Sequence, residues 1–179
     1  APKVILAAIN DKFPGLRKEA VMLIGKSDSI VKAKAESKLA ALAQTETNNQ
    51  TKAAVLQVLA RYKNVLNLPV FYSSLKSESY TVQAAGLFGI SQVDEQKAIE
   101  VAHTFENDNE GELTEAIFYL YGNKGDLKDW PYIYKRYTSG TLQEQIRLLN
   151  KFTTMVKKIN DSNAVRQGIG VLTDMGIKY

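Results

Sequence analysis

The chain has no cysteine and only one histidine, His103, among its 179 residues. Without cysteine it forms neither disulfide bonds nor thiolate sites for catalysis or metal binding. A zinc site of the His-Glu-x-x-His type needs two histidines one helical turn apart, so this chain cannot supply one. The lack of cysteine assigns no compartment, and a cytoplasmic and a periplasmic location both stay open.

Long apolar runs are lacking as well, since no segment approaches the roughly 18 residues that a helix needs to cross a bilayer. We therefore expect no membrane span, and the 45% hydrophobic and 23% charged fractions are typical of a soluble globular protein. The first residues carry neither an initiator methionine nor the apolar stretch of a secretory signal. We interpret residues 1–179 as a single domain, without a linker, that is a fragment or processed product of a larger chain.

Charge is banded along the sequence, although the net charge is only +4. Residues 1–63 carry 11 basic and 5 acidic side chains, residues 64–115 carry 2 and 9, and residues 116–179 carry 10 and 5. Nucleic acid binding requires a continuous positive track, which the acidic middle interrupts. The banding disfavours a nucleic acid partner and favours a solvated surface or docking on a charged neighbour.

Apolar residues recur with the period of an α-helix, most clearly in residues 51–62. Val55, Val58, Leu59 and Tyr62 are spaced i, i+3, i+4, i+7 and share one helix face. The rest of this segment is mostly alanine and leucine, which is typical of a helix packed between other helices. No alternation of useful length predicts a β-strand.

Similar patterns, bounded by turn and cap signals, predict further helices along the whole chain. These segments are 2–9, 16–24, 30–43, one starting at 69, 81–90, 94–104, 112–121, 127–137, 142–157 and a last one after 162. Two of the predicted inward faces are Leu16, Ala20, Leu23 and Ile24, and Leu142, Ile146, Leu149 and Phe152. We expect Gly25 to end a helix and residues 122–125 to form a turn. Gly86 and Gly89 each cost about 1 kcal/mol of helix propensity relative to alanine, which predicts close approach of a neighbouring helix.

The helices come in pairs, and the pairs repeat. The first inward position of each second helix, aligned along the chain, falls at intervals of 34, 31, 31 and 30 residues. These positions are Ala20, Ala54, Ala85, Ala116 and Ile146. A period near 30 with two helices per unit predicts an all-α protein, an α-solenoid or HEAT-like superhelix of about five antiparallel helix pairs. A three-helix bundle with additions is the structural alternative.

Candidate chemical sites are few. His103 and Glu106 are spaced i, i+3 and would share a metal ion only weakly, so a histidine at the solvent edge of a helix end is the favoured interpretation. A Ser-His-Asp triad would have to use His103, and no Gly-x-Ser-x-Gly elbow accompanies it. The acidic turn 106–112 is interpreted as a solvated loop. We predict no catalytic, cofactor-binding or metal-ligating residues in this chain.

Two glycine pairs and one aromatic run could form binding sites, but each also has an ordinary structural interpretation. Neither the pair Gly86 and Gly89 nor the pair Gly168 and Gly170 has the spacing of a phosphate-binding loop. Residues 129–137 interleave aromatic and basic side chains, which is compatible with a platform for stacking bases or with a carboxylate-binding site. Their i, i+3, i+4, i+7 spacing favours the buried stripe of one helix instead. That stripe would consist of Trp130, Ile133, Tyr134 and Tyr137.

Two passages resemble a known family. Residues 71–87 read Phe-Tyr-Ser-Ser-Leu-Lys-Ser-Glu-Ser-Tyr-Thr-Val-Gln-Ala-Ala-Gly-Leu, and residues 107–117 read Asn-Asp-Asn-Glu-Gly-Glu-Leu-Thr-Glu-Ala-Ile, with Gly125-Asp126 after them. These passages, in a stretch of roughly 14–137, resemble the C-terminal helical repeats of the aminopeptidase N family of zinc metallopeptidases. The family's Gly-x-Met-Glu-Asn strand, its His-Glu-x-x-His helix and its distant glutamate ligand are absent.

The resemblance implies a non-catalytic C-terminal domain that covers the catalytic domain of the same parent chain and restricts the access of peptide substrates. It implies zinc in the parent's catalytic domain and no cofactor in this fragment. Two other hypotheses stay open. One is a free-standing HEAT-like scaffold that binds a protein or peptide on its concave face, and the other is a nucleic-acid-binding HEAT-like protein.

Overall fold

The computed structural model describes residues 2–107 and 110–178, and within them the chain is 81% helical and has no β-strand. The helices are α1 (Pro2–Ala8), α2 (Pro14–Lys26), α3 (Ser29–Thr45), α4 (Asn49–Ala60), α5 (Leu68–Ser74), α6 (Tyr80–Val93), α7 (Glu95–His103), α8 (Gly111–Lys124), α9 (Trp130–Ser139), α10 (Leu142–Lys158) and α11 (Ser162–Lys178). Short 3-10 helices, Val65–Asn67 and Leu127–Asp129, precede α5 and α9. The all-α prediction is confirmed. None of the helices described is both long and apolar enough to span a membrane.

Side-chain caps fix several helix starts at the positions that the sequence indicates. Asp28 accepts a hydrogen bond from the Val31 backbone N–H, and Asp161 accepts one from that of Ala164. Thr141 and Glu144 form a reciprocal capping box at the start of α10. These contacts satisfy N–H groups that have no partner inside the helix, so they define where each helix begins.

The second helices of the pairs contact one another in chain order: α2 packs on α4, α4 on α6, α6 on α8, and α8 on α10. Each of α3, α5, α7 and α9 packs on the helix that follows it. Helix α4 therefore lies among α2, α3 and α6, and eight of its twelve residues are buried. This confirms the prediction that its nearly all-round apolar surface is enclosed by other helices.

The two glycines of α6 mark its contact with α5. A Cβ atom on Gly86 would overlap the Ser74 hydroxyl and lie 2.9 Å from the Phe71 carbonyl oxygen. A Cβ atom on Gly89 would lie 2.5 Å from two atoms of the Phe71 ring. The predicted close approach of a neighbouring helix is confirmed, and α5 is that helix.

Three residues predicted to face inward are exposed: Leu16 and Leu23 on α2, and Ile146 on α10. Helix α10 instead buries Leu148, Phe152 and Met155. Ile146 is two residues from Leu148, which places it about 200° around the helix from this face. The alignment of Ile146 with the buried alanines of the earlier pairs was therefore wrong. On α2, Ala20, Val21 and Ile24 form the buried face, and the leucines lie outside it.

Two glycines predicted to break helices lie inside them. Gly25 is within α2, where a Cβ would be 3.1 Å from Val58 Cγ2, and Gly122 is within α8, where a Cβ would be 2.9 Å from the Lys151 carbonyl oxygen. At both positions, the missing side chain lets the next stacked helix approach. The expectation that residues 122–125 form a turn was therefore wrong for the first three of them, because α8 continues to Lys124 and Gly125 is its C-cap.

Candidate functional site

A buried carboxylate, Asp129, is the centre of a polar cluster between α7 and the start of α9. Its side chain is 1% exposed, and its Oδ1 lies 2.6 Å from Nε2 of His103, the last residue of α7. Its Oδ2 accepts the backbone N–H of Asp126 at 2.7 Å. A Cβ atom on Gly125 would lie 2.6 Å from the same Oδ2, so glycine leaves the space that this carboxylate fills. Both oxygens of the carboxylate are therefore engaged.

A second hydrogen bond extends the cluster along α8. The Tyr121 hydroxyl donates to Oε1 of Glu106 at 2.8 Å, and the Tyr121 ring lies 5.4 Å from that of His103. Burial, together with this hydrogen bond, raises the pKa of Tyr121. Tyr121 therefore stays protonated and acts as a donor that holds the loop after α7 against α8.

Lys158, at the end of α10, reaches the same region and donates to the Tyr121 carbonyl oxygen at 3.1 Å. Burial lowers the pKa of Lys158, and the nearby carboxylates of Asp129 and Asp126 oppose that shift. The cluster thus joins α7, α8, the Leu127–Asp129 turn and α10 by polar contacts.

The cluster has the geometry of a structural link. His103 lies at the partly exposed end of α7, as the sequence indicates, but its Nε2 faces a buried aspartate. Nε2 lies 2.6 Å from Asp129 Oδ1 and 4.0 Å from Glu106 Oε1, so its hydrogen-bond partner is the buried aspartate. In the part of the chain that the structure describes, no three His, Cys, Asp or Glu side chains are grouped so that they could hold a metal ion.

The aromatic stripe of α9 belongs to the core. Trp130, Ile133 and Tyr137 are buried, and the Tyr137 ring stacks on Phe152 with centroids 4.0 Å apart. The Trp130 Nε1–H donates to Gln167 of α11 at 3.0 Å. The favoured interpretation as one buried stripe is confirmed for these three residues, and Tyr134 is partly buried against the Trp130 ring. Arg136 of α9 pairs with Glu144 of α10 at 3.1 Å.

The glycine pairs lie within helices, Gly86 and Gly89 in α6 and Gly168 and Gly170 in α11, and neither forms a loop. Gly168 sits where a Cβ would be 3.2 Å from the Trp130 ring and would overlap Val156. The expected acidic loop 106–112 has a different local structure at its end, because Gly111 begins α8 with φ +50°. Asp108 and Asn109 of that loop lie outside the described residues.

The role of Asp129 was not predicted, although the sequence contains a signal for it. The pattern Asx-x-x-Asx-apolar-Pro occurs twice, in Asn64-Val-Leu-Asn67-Leu-Pro69 and in Asp126-Leu-Lys-Asp129-Trp-Pro131. In each, the first Asx caps a 3-10 helix and the second is buried. The second Asx then hydrogen-bonds to the preceding helix of odd number: Asn67 donates to Glu36 of α3 at 3.0 Å, and Asp129 accepts from His103 of α7.

A separate ion pair fixes the N-terminal pair of helices. Nε and Nη2 of Arg17 donate to the two carboxylate oxygens of Glu46 at 2.6 and 2.7 Å, and the Glu46 side chain is fully buried. Nη1 of Arg17 also donates to the Asp11 carbonyl oxygen at 2.8 Å. The hydrogen bonds from Arg17 lower the pKa of Glu46. This pair joins the first turn of α2 to the connection between α3 and α4, and the hydrogen bond to Asp11 adds the loop before α2.

Comparisons with protein-family models and with curated proteins give no match for this chain. The family resemblance therefore depends on the two passages in the sequence.

Proposed function

We propose that this chain is the non-catalytic, HEAT-like C-terminal domain of a zinc-dependent aminopeptidase. In this proposal it covers the catalytic domain of the parent chain and restricts the access of peptide substrates. Zinc belongs to that catalytic domain, and the partner is the rest of the same polypeptide. The stacking of α2, α4, α6, α8 and α10 in chain order supports an α-solenoid, because each pair contacts its sequence neighbours.

The observation that carries the proposal is the position of the family-like passage in the fold. Residues 71–87 span α5, the turn after it and the first half of α6. Val82 and Ala85 are buried, and Gly86 packs against α5. The residues that resemble the family are therefore those that join two helices of one hairpin, which is the role that repeat sequences have in helical arrays.

The test uses the natural gene product that contains this chain. We expect the full product to bind stoichiometric zinc and to hydrolyse a fluorogenic aminoacyl amide, whereas the 179-residue chain alone does neither. Deletion of this chain from the full product should increase the cleavage of long peptides relative to dipeptides, because a cover that excludes large substrates is lost. A full product that binds no zinc, or one whose N-terminus lies near Ala1, would refute the proposal and favour the free-standing scaffold.

A further inference from the structure

A cleft of about 360 Å³ opens between the C-terminal ends of α2 and α4 and the first turns of α3. Ala33, Val58 and the ring of Tyr62 form its apolar part, and Lys32 and Arg61 are its basic side chains. This volume is within the range of protein sites that hold a ligand or a bulky side chain.

Hydrogen bonds hold the walls of the cleft in place. The Tyr62 hydroxyl donates to the Lys32 carbonyl oxygen at 2.9 Å, which ties the end of α4 to α3. Burial raises the pKa of Tyr62, so this donor stays protonated. Glu36, also in the lining, accepts from the side-chain amides of Asn64 and Asn67 at 2.7 and 3.0 Å. The only carboxylate of the lining is thus engaged by neutral donors.

The surroundings of the cleft are basic. Residues 25–36 and 58–66 contain five basic side chains and two acidic ones. The basic residues are Lys26, Lys32, Lys34, Arg61 and Lys63. Across residues 2–107 and 110–178, no carboxylate lies within 4.0 Å of any of these five cations. The second acid, Asp28, caps α3. These two segments therefore have a formal net charge of +3, and none of their five cations is in an ion pair in the described chain.

Exposed apolar side chains occur in the same two segments of the chain. Ile30 is 66% exposed and follows Ser29, which lines the cleft. Val65 and Leu66 are 61% and 79% exposed and follow Asn64, which holds Glu36. Large aliphatic side chains at this exposure, next to an apolar cleft, are typical of an interaction surface.

We propose that residues 25–36 and 58–66 form a docking site, here called the basic cleft, for an extended segment of a partner protein that carries one bulky apolar side chain flanked by carboxylates. The apolar side chain enters between Ala33, Val58 and Tyr62. The flanking carboxylates pair with Lys32 and Arg61, whose charges have no carboxylate partner in the described chain. This site goes beyond the proposed cover function and does not depend on it.

A protein segment fits this surface better than a nucleic acid does. The positive charge is confined to one cleft, and the acidic band that begins at residue 64 interrupts any longer positive track. The exposed aliphatic residues Ile30 and Leu66 favour contact with apolar side chains, whereas single-stranded nucleic acids are bound by aromatic stacking and by contacts to phosphates. Charge complementarity and apolar burial together therefore select an acidic-apolar peptide.

The experiment titrates the isotope-labelled 179-residue chain with an acetylated, amidated peptide of sequence Glu-Asp-Leu-Asp-Glu and follows amide proton–nitrogen correlation spectra. We expect the largest shifts at Gly25, Ala33 and Tyr62. Replacing the central leucine of the peptide by alanine should weaken binding about tenfold or more, because its apolar side chain no longer fills the cleft.

Paired variants separate the basic cleft from general charge attraction. The double variant Lys32→Gln with Arg61→Gln should weaken binding about fivefold to tenfold, as expected for two partly exposed ion pairs. The control Lys97→Gln with Lys157→Gln removes the same charge from exposed residues of α7 and α10, and it should change the affinity less than about twofold.

Four outcomes would overturn the proposal. The first is an equal loss of affinity in both double variants, and the second is equal binding of a peptide in which lysines replace the acids. The third is that a single-stranded oligonucleotide or a phosphatidylserine vesicle binds the same residues more tightly than the peptide. Absence of any shift at millimolar peptide also refutes it. Circular dichroism of each variant confirms that the comparison is made between folded proteins.

Discussion

Substitution of Gly89 by alanine tests the contact between α5 and α6 directly. The added Cβ would lie 2.5 Å from Cε1 and Cγ of Phe71, whereas carbon atoms in favourable contact are about 3.5–4.0 Å apart. Phe71 is fully buried, so its ring has no solvent space into which it could turn. Either α5 moves away from α6, or Phe71 leaves its preferred rotamer.

Two opposing effects set the change in the free energy of unfolding. Alanine has a better helix propensity than glycine by about 1 kcal/mol. Insertion of a methyl group into a well-packed core costs typically about 1–3 kcal/mol. The added Cβ would lie about 1 Å or more closer to the Phe71 ring than favourable contact allows. We therefore place the packing cost at the upper end of this range, about 3 kcal/mol. The net expectation is a destabilisation of about 2 kcal/mol.

The matched control is Gly170→Ala in α11, where nothing lies within 4 Å of the added Cβ. Only the propensity difference then applies, so this variant should be stabilised by up to about 1 kcal/mol. Urea unfolding followed by circular dichroism gives both values, provided that the m-value stays constant. A Gly89→Ala variant as stable as the wild type would refute the close contact.

A double variant identifies Phe71 as the clashing partner. In a Phe71→Leu background, the smaller side chain leaves room, so Gly89→Ala should cost less than it does in the wild type. The coupling energy from the cycle should be at least about 0.5 kcal/mol, as is usual for residues in contact. Strict additivity of the two substitutions would show that the ring of Phe71 does not occupy the space beside Gly89.

Substitutions at three further residues test the polar contacts. Asp129→Ala should destabilise the chain by about 1–3 kcal/mol, because the Asp126 N–H loses its acceptor, whereas Asp129→Asn keeps a side-chain oxygen and should cost less in a urea titration. The hydrogen bond from Arg17 is the main cause that lowers the pKa of Glu46 in the folded chain. The ion pair therefore stabilises the fold fully above the unfolded pKa of about 4.5, and this contribution is lost as the pH falls through the lower folded pKa. Thermal unfolding of Glu46→Gln between neutral and acidic pH should therefore have a flatter acid limb than the wild type. Tyr121→Phe removes a hydrogen bond to a carboxylate and should cost about 1–3 kcal/mol, and an unchanged midpoint of unfolding would contradict that role.

The helices could be predicted from the sequence because their signals are local. Val55, Val58 and Leu59 are one helical turn apart, so their spacing alone gives both the helix and its buried face. The stacking order depends on contacts between helices that are distant along the chain, which local periodicity does not specify. The error at Ile146 has a physical cause: α10 also has apolar residues outside its buried face, and packing against α8 and α9 selects Leu148 and Phe152.

The polar cluster could not be predicted, since it depends on how two helix ends are placed relative to each other. His103 and Asp129 are 26 residues apart, and neither has a local partner that would indicate the contact. Nothing in the composition distinguishes Asp129 from the exposed Asp126 three residues before it. Only the recurrence of the Asx-x-x-Asx-apolar-Pro pattern marks the position, and the pattern does not name the partner.

The two links at this recurrent position use different chemistry, and that difference bears on how the array keeps its order. At the first, Glu36 of α3 accepts from Asn67, and at the second, His103 of α7 donates to Asp129. Apolar contacts are less directional than hydrogen bonds, so they specify the neighbouring helix less strictly than these polar links do. Exchanging the partners would place Glu36 against a buried carboxylate, which repulsion and desolvation disfavour. We therefore interpret these links as contacts that fix the neighbour and the register of each pair, in addition to the stability that the shared core provides.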